Sequence, residues 1–193
     1  MQTKMKDFQQ RINSIVKKGS NGQIVMMELP TDTYFSYSSA VIRTLTMKGF
    51  DGVYISFQRP LGNVTSLLKQ QKINTKNILF LDIASILGEA AGNPQQAVAG
   101  MPADINIDEL VKAIYTMLDN LRSRKRFIFI DSLTTIALYK PLSEVMRFSE
   151  FLSRTVRSHE LENVILIFSV AQELAQKKFI RDIAMRVDEV ITL

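Results

Sequence analysis

Phe127-Ile128-Phe129-Ile130-Asp131-Ser132-Leu133-Thr134 sets four consecutive large apolar residues ahead of an acid and a hydroxyl. A strand with one wet face alternates apolar and polar side chains, whereas a strand covered on both faces reads as an unbroken apolar run. The stretch therefore predicts a central strand over residues 127–131, with helices above and below it. Val164-Ile165-Leu166-Ile167-Phe168 reads the same way and predicts a second central strand over 164–170. Shorter β-rich runs at 23–29, 53–57, 78–81 and 189–193 complete the set.

Segments of helical period separate these runs, at 4–16, 38–48, 63–70, 108–121, 143–158 and 175–186. In the fourth, Leu110, Ile114, Met117, Leu118 and Leu121 recur at steps of three and four, with Asn106 or Asp108 available as N-cap. In the fifth, Val145, Phe148, Leu152 and Val156 form the apolar stripe. Arg147, Arg154 and Arg157 fall largely off it, on a face that is either solvated or a binding patch. Strands alternating with helices in this way are the pattern of βαβ units. They predict an α/β fold, a three-layer core with a mainly parallel β-sheet flanked by helices.

The chain has 193 residues, 46% apolar and 22% charged, which suits one domain of roughly 100 to 200 residues with a substantial core. We expect a single domain over 1–193, with an N-terminal helix within 1–20 and a mobile loop at 84–104, where Gly, Ala, Pro and Gln dominate and no period is visible. The absence of cysteine excludes a disulfide framework, thiolate metal sites and cysteine nucleophiles, and points to a cytoplasmic setting. Apolar runs fall far short of the roughly 20 residues that span a bilayer, and no apolar stretch follows Lys4 and Lys6 as a signal peptide requires. A single histidine, His159, excludes multi-histidine metal sites, and its place near a helix end is a structural one. The net charge of +5 leaves room for an anionic partner without demanding one.

In an open parallel sheet, ligands bind beyond the carboxyl ends of the strands. Those positions are 30–38 after the first strand, Gln58-Arg59-Pro60 after the second, Asp82 after the third, Asp131-Ser132 after the fourth and 169–173 after the fifth. Here Val53-Tyr54-Ile55-Ser56-Phe57-Gln58-Arg59-Pro60 resembles the "YISFEEP" strand end of the RecA-like, KaiC-like P-loop ATPases. The stretch Phe127 to Thr134 resembles their Walker B strand with its "IDSLT" ending, and Val187 to Leu193 is similar to their late "ADGVIxL" strand. Order and spacing match from Gly22 onward, so the resemblance implies a RecA-like core.

It also implies a phosphate-binding loop of the form GxxxxGK[ST], whose glycines let backbone N–H groups approach phosphate and whose lysine neutralises it. Alignment on that loop places Thr31 and Ser36 at the glycines and Tyr37 at the lysine, and only the metal-side hydroxyl, Ser38, survives. The acidic pair that supplies the general base in the family is Gln58 and Arg59 here, and neither accepts a proton at neutral pH. Asp131 either holds magnesium, as the resemblance implies, or serves structurally at the strand end, and an Arg59–Asp131 salt bridge across the former site is an expectation the structure can test.

The expectation is therefore a non-catalytic, degenerate ATPase acting as a regulatory or scaffolding interaction module, with no cofactor. Its remnant pocket comprises Thr31, Ser36, Tyr37, Ser38, Gln58, Arg59 and Asp131. A protein partner or homo-oligomer is expected, with Tyr34, Phe35 and Tyr37 either exposed as an interface or packed inward to fill the vacated pocket. Two alternatives stand beside it: a nucleotide-binding protein or slow ATPase retaining Ser38 and Asp131 for magnesium and ATP, and a nucleic-acid-binding RecA-like protein.

Overall fold

The computed structural model describes residues 2–18, 22–85, 106–158 and 163–193. Six parallel strands form one sheet: β1 (Gln23–Leu29), β2 (Asp51–Ser56), β3 (Ile78–Asp82), β4 (Arg126–Asp131), β5 (Val164–Ala171) and β6 (Glu189–Thr192), in the order β3-β2-β4-β5-β1-β6. All six expected strands are present, and the two unbroken apolar runs, β4 and β5, lie side by side in the middle.

The helices are α1 (Gln2–Lys18), α2 (Tyr34–Met47), α3 (Leu61–Gln70), α4 (Ile107–Asp119), α5 (Leu133–Tyr139), α6 (Leu142–Arg157) and α7 (Lys178–Ala184). Side chains alternate across each strand, so every strand feeds two cores. Val53, Ile55, Ile128, Ile130, Leu166 and Phe168 pack beneath α4 to α7. Val25, Met27, Tyr54, Phe129, Ile165 and Ile167 pack beneath α1 to α3. These are the three layers that the continuous apolar strands require. Among the described residues no helix is long and apolar enough to cross a membrane.

Three boundaries depart from the sequence expectation. Helix α5 follows β4 after one residue; it is too short to show a period, and Ser132 caps it by accepting the Thr135 N–H at 3.2 Å. Helix α2 starts at Tyr34, four residues ahead of the expected Ser38, a shift taken up below. The last helix begins at Lys178 instead of residue 175, because a 3₁₀ turn (Gln172–Leu174) holds the chain first through bonds from the Ala175 and Lys177 N–H groups. Within the loop expected at 84–104, Ser85 donates through N–H and Oγ to Asp82 at 2.9 and 2.7 Å. Residues 86–104 and His159 lie outside the described residues.

Gly52 shows how tightly the α1–α3 face is packed. A Cβ there would lie 2.0 Å from the ring of Phe127, which is fully buried. Gly52→Ala is expected to cost about 1–3 kcal/mol through overpacking and to lower the thermal midpoint by roughly 2–12 °C for a chain of this size. An unchanged midpoint in calorimetry would mean that Phe127 has room to move.

Candidate functional site: a buried carboxylate at the carboxyl edge

Asp131 ends β4, and strand parity turns its side chain toward the α2 face, the face that also carries Tyr54 on β2 and Ser169 on β5. The Tyr54 ring stacks on Phe129 with centroids 5.1 Å apart and planes 14° apart, which directs its hydroxyl along the sheet to Asp131. That hydroxyl donates to Oδ2 at 2.5 Å. Tyr34, the first residue of α2, donates to Oδ1 at 2.7 Å and also bonds the Ser169 hydroxyl. Ser169 Oγ also lies 2.8 Å from the Ile130 carbonyl; with the Tyr34 hydrogen on Asp131, the single Ser169 hydrogen is shared between the Tyr34 hydroxyl oxygen and that carbonyl. The peptide bond that follows Asp131 is cis.

Both carboxylate oxygens thus accept from tyrosines, and only 1% of Asp131 is exposed. Burial pushes its carboxyl above the usual range, while the Tyr54 and Tyr34 hydroxyls and the charge of Arg59 pull it down. The two phenols are pushed well above their ordinary value, first by burial and next by the negative charge of Asp131. Burial thus shifts all three groups toward their protonated forms.

The early start of α2 explains the rest. Residues 34–37 are helical, and no residue in 30–38 has a positive φ. Tyr37, at the expected lysine position, packs edge-on against Phe8 with centroids 5.0 Å apart. Ser38 Oγ donates to the Tyr34 carbonyl at 3.0 Å within its own helix and is buried. Thr31 and Ser36 are exposed; the Thr31 N–H donates to Glu173 at 3.1 Å, which holds that carboxyl below its usual range.

Gln58 is exposed and Arg59 half-buried. The expected Arg59–Asp131 salt bridge does not form. The guanidinium instead lies 5.3 Å above the Phe35 ring, and its main chain is held by Ser56, whose Oγ donates to the Arg59 carbonyl at 2.6 Å. The tyrosine hydroxyls are closer to Asp131 and need no buried cation, so they take its oxygens. Of the seven residues expected in the pocket, none of the other six hydrogen-bonds or ion-pairs with the Asp131 side chain, and Arg59 acts on it only through its charge. Its partners are Tyr34 and Tyr54, with Ser169 behind Tyr34. Strand parity carried a signal for Tyr54 and Ser169, because register places them beside Asp131 on one face.

A parallel sheet of this order between two helical layers, with the Asp-Ser strand end at its carboxyl edge, has the KaiC-like RecA fold. Two solved structures similar to the chain come from the archaeon Pyrococcus horikoshii. The KaiC-like protein PH0186 superposes with a TM-score of 0.62 at 17% identity over 90% of this chain and 73% of its own. The uncharacterized protein PH0321, in complex with an unknown peptide, superposes with a TM-score of 0.66 at 12% identity over 94% and 82%. No family model and no curated protein matches the chain.

Two outcomes test this site. Tyr54→Phe leaves a buried carboxylate oxygen without its donor and is expected to cost about 1–3 kcal/mol in urea melts. The unfolded carboxyl titrates near 3.9, and the folded one is held higher. The stability that this adds is full below about pH 4 and is lost as pH rises through the raised value. Relative to Asp131→Asn, the wild-type chain is expected to gain stability as pH falls from 7 toward 4. A difference that stays flat across that window would contradict the buried carboxylate.

Proposed function

We propose that the chain is a non-catalytic KaiC-like domain, a pseudo-ATPase, working in the cytoplasm as a regulatory or scaffolding interaction module. The observation that carries this reading is the engagement of both Asp131 oxygens by Tyr34 and Tyr54. A magnesium nucleotide needs a carboxylate and a hydroxyl open to the metal shell, a cationic side chain at the phosphates and backbone N–H groups turned toward them. Asp131 is enclosed, Ser38 is bonded inward, Tyr37 stands at the lysine position, and the first turn of α2 runs where a loop should open. These residues do not fit the group.

Loss of the site leaves a scaffold, and the reading gives that scaffold a protein partner or a second copy of the chain. The peptide in the PH0321 structure supports a fold of this shape engaging polypeptide. Tyr34 and Tyr37 pack inward, which favours the pocket-filling alternative over an aromatic interface made by those two residues.

Thermal unfolding with and without millimolar Mg-ATP tests the proposal. A ligand at 100 times its dissociation constant stabilises by about 2.7 kcal/mol, which would raise the midpoint by roughly 5–11 °C. No shift is expected. A shift of that size, abolished in Asp131→Ala, would establish a nucleotide-binding protein with a remodelled loop. Affinity for single-stranded DNA that falls steeply with salt would favour the nucleic-acid reading.

A further inference from the structure

A cleft of about 480 Å³ lies at the opposite, amino-terminal edge of the sheet, between the ends of α6 and α7. The volume falls within the roughly 300–1,000 Å³ of small-molecule sites. Arg154, Arg157 and Arg186 line it together with Glu150, Ser153 and Ile183. It is remote from Asp131: Arg157 bonds Asp188 at 2.9 Å, and Asp188 accepts the N–H of Ile24 near the start of β1.

Basic residues at helix C-terminal ends are ordinary partners of the helix dipole, which accounts for the sign of the charge and for nothing else here. Three further features point to a ligand. Glu150 is the one carboxylate lining the cleft among the described residues, and its Oε1 is shared between Arg154 and Arg186 at 3.4 Å each. Both separations exceed the roughly 2.7–2.9 Å of a close charge-assisted hydrogen bond, so two guanidinium groups share one loosely held acceptor.

Ser153, only 8% exposed, lines the same cleft and has no hydrogen-bond partner among the described residues, whereas Ser149 and Ser158 already donate to the Met146 and Thr155 carbonyls at 2.8 Å. Two carbonyls at these helix ends already accept a hydrogen bond, that of Arg154 from the Ser158 N–H and that of Arg186 from Arg157 Nη2, each at 2.9 Å. The floor includes the buried apolar side chain of Ile183.

We infer that this cleft binds a small phosphomonoester. Its phosphate lies between Arg154 and Arg186, displaces Glu150 and accepts from Ser153, and its carbon skeleton rests on Ile183. A phosphomonoester brings up to two negative charges and three acceptor oxygens, matching the two guanidinium groups of Arg154 and Arg186 once Glu150 is displaced, and the forked geometry of arginine; Arg157 stays paired with Asp188. A carboxylate would supply one charge and two acceptors, and would gain little over Glu150.

The test is calorimetric titration of the full chain with inorganic phosphate and with glucose 6-phosphate, at ionic strength held constant with chloride. Saturable binding is expected for both, tighter for the sugar ester. Arg154→Gln, at a side chain 78% exposed, is expected to weaken it about tenfold, the loss of one charge-assisted bond. Ser153→Val should weaken it in the same sense. Glu150→Gln is the decisive variant, because freeing two arginines should tighten phosphate binding several-fold, whereas a purely structural Glu150 would leave it unchanged or weaken it. No heat beyond the chloride control, or an Arg154→Gln chain that binds as well as wild type, overturns the inference. Binding confined to single-stranded oligonucleotides, with a steep salt dependence, overturns it equally and assigns this face to a nucleic-acid backbone. Should Ser153→Val fail to fold by circular dichroism, Arg154→Gln and Glu150→Gln settle the matter.

Discussion

A carboxylate buried at the end of a central strand has no water to solvate it, so the protein itself has to supply its hydrogen bonds. Asp131 stands in that position between β2 and β5, and three parts of the chain answer to it: the stacked Tyr54 of β2, Ser169 through its link to Tyr34, and the first turn of α2. Helix α2 opens at Tyr34, so its first residue carries the hydroxyl that reaches Oδ1. One network organises the edge.

The same economy runs around that edge. Asp82, at the end of β3, accepts the Leu61 N–H at 2.7 Å where Pro60 offers α3 no side-chain cap. Glu173 holds Thr31, and Ser132 caps α5. Asp82, Glu173 and Ser132, at or just beyond the carboxyl ends of strands, are here committed to the protein's own backbone. At the opposite edge Asp188 is closely held, whereas Glu150 is shared between two arginines at 3.4 Å each and Ser153 has no hydrogen-bond partner among the described residues.

Strand positions were legible because burial on both faces leaves a direct mark on composition, as in 127–131 and 164–168. Helices α4 and α6 were legible through their apolar stripes. Helix α5 was not, since seven residues cannot display a period, and its cap, Ser132, looked like the tail of a strand motif. At the site, the resemblance implied that Thr31, Ser36 and Tyr37 stand at glycine and lysine positions and Gln58 and Arg59 at an acidic pair. The partners of Asp131 were not legible, because charge pairing suggested Arg59, whereas the phenols reach it and Arg59 rests on Phe35.

By itself, the sequence determined the alternation of strands and helices and the two central strands that are apolar on both faces. These are local properties, written in neighbouring residues and in their spacing. Only the tertiary structure decided which hydroxyls meet Asp131 and which arginines converge on Glu150. Tyr34 and Asp131 are 97 positions apart, and Glu150 and Arg186 meet across two helices. Contacts of that kind depend on strand order, on register and on where α2 begins. Those in turn follow from burying two apolar faces at once, a constraint on the whole chain that no short stretch of it contains.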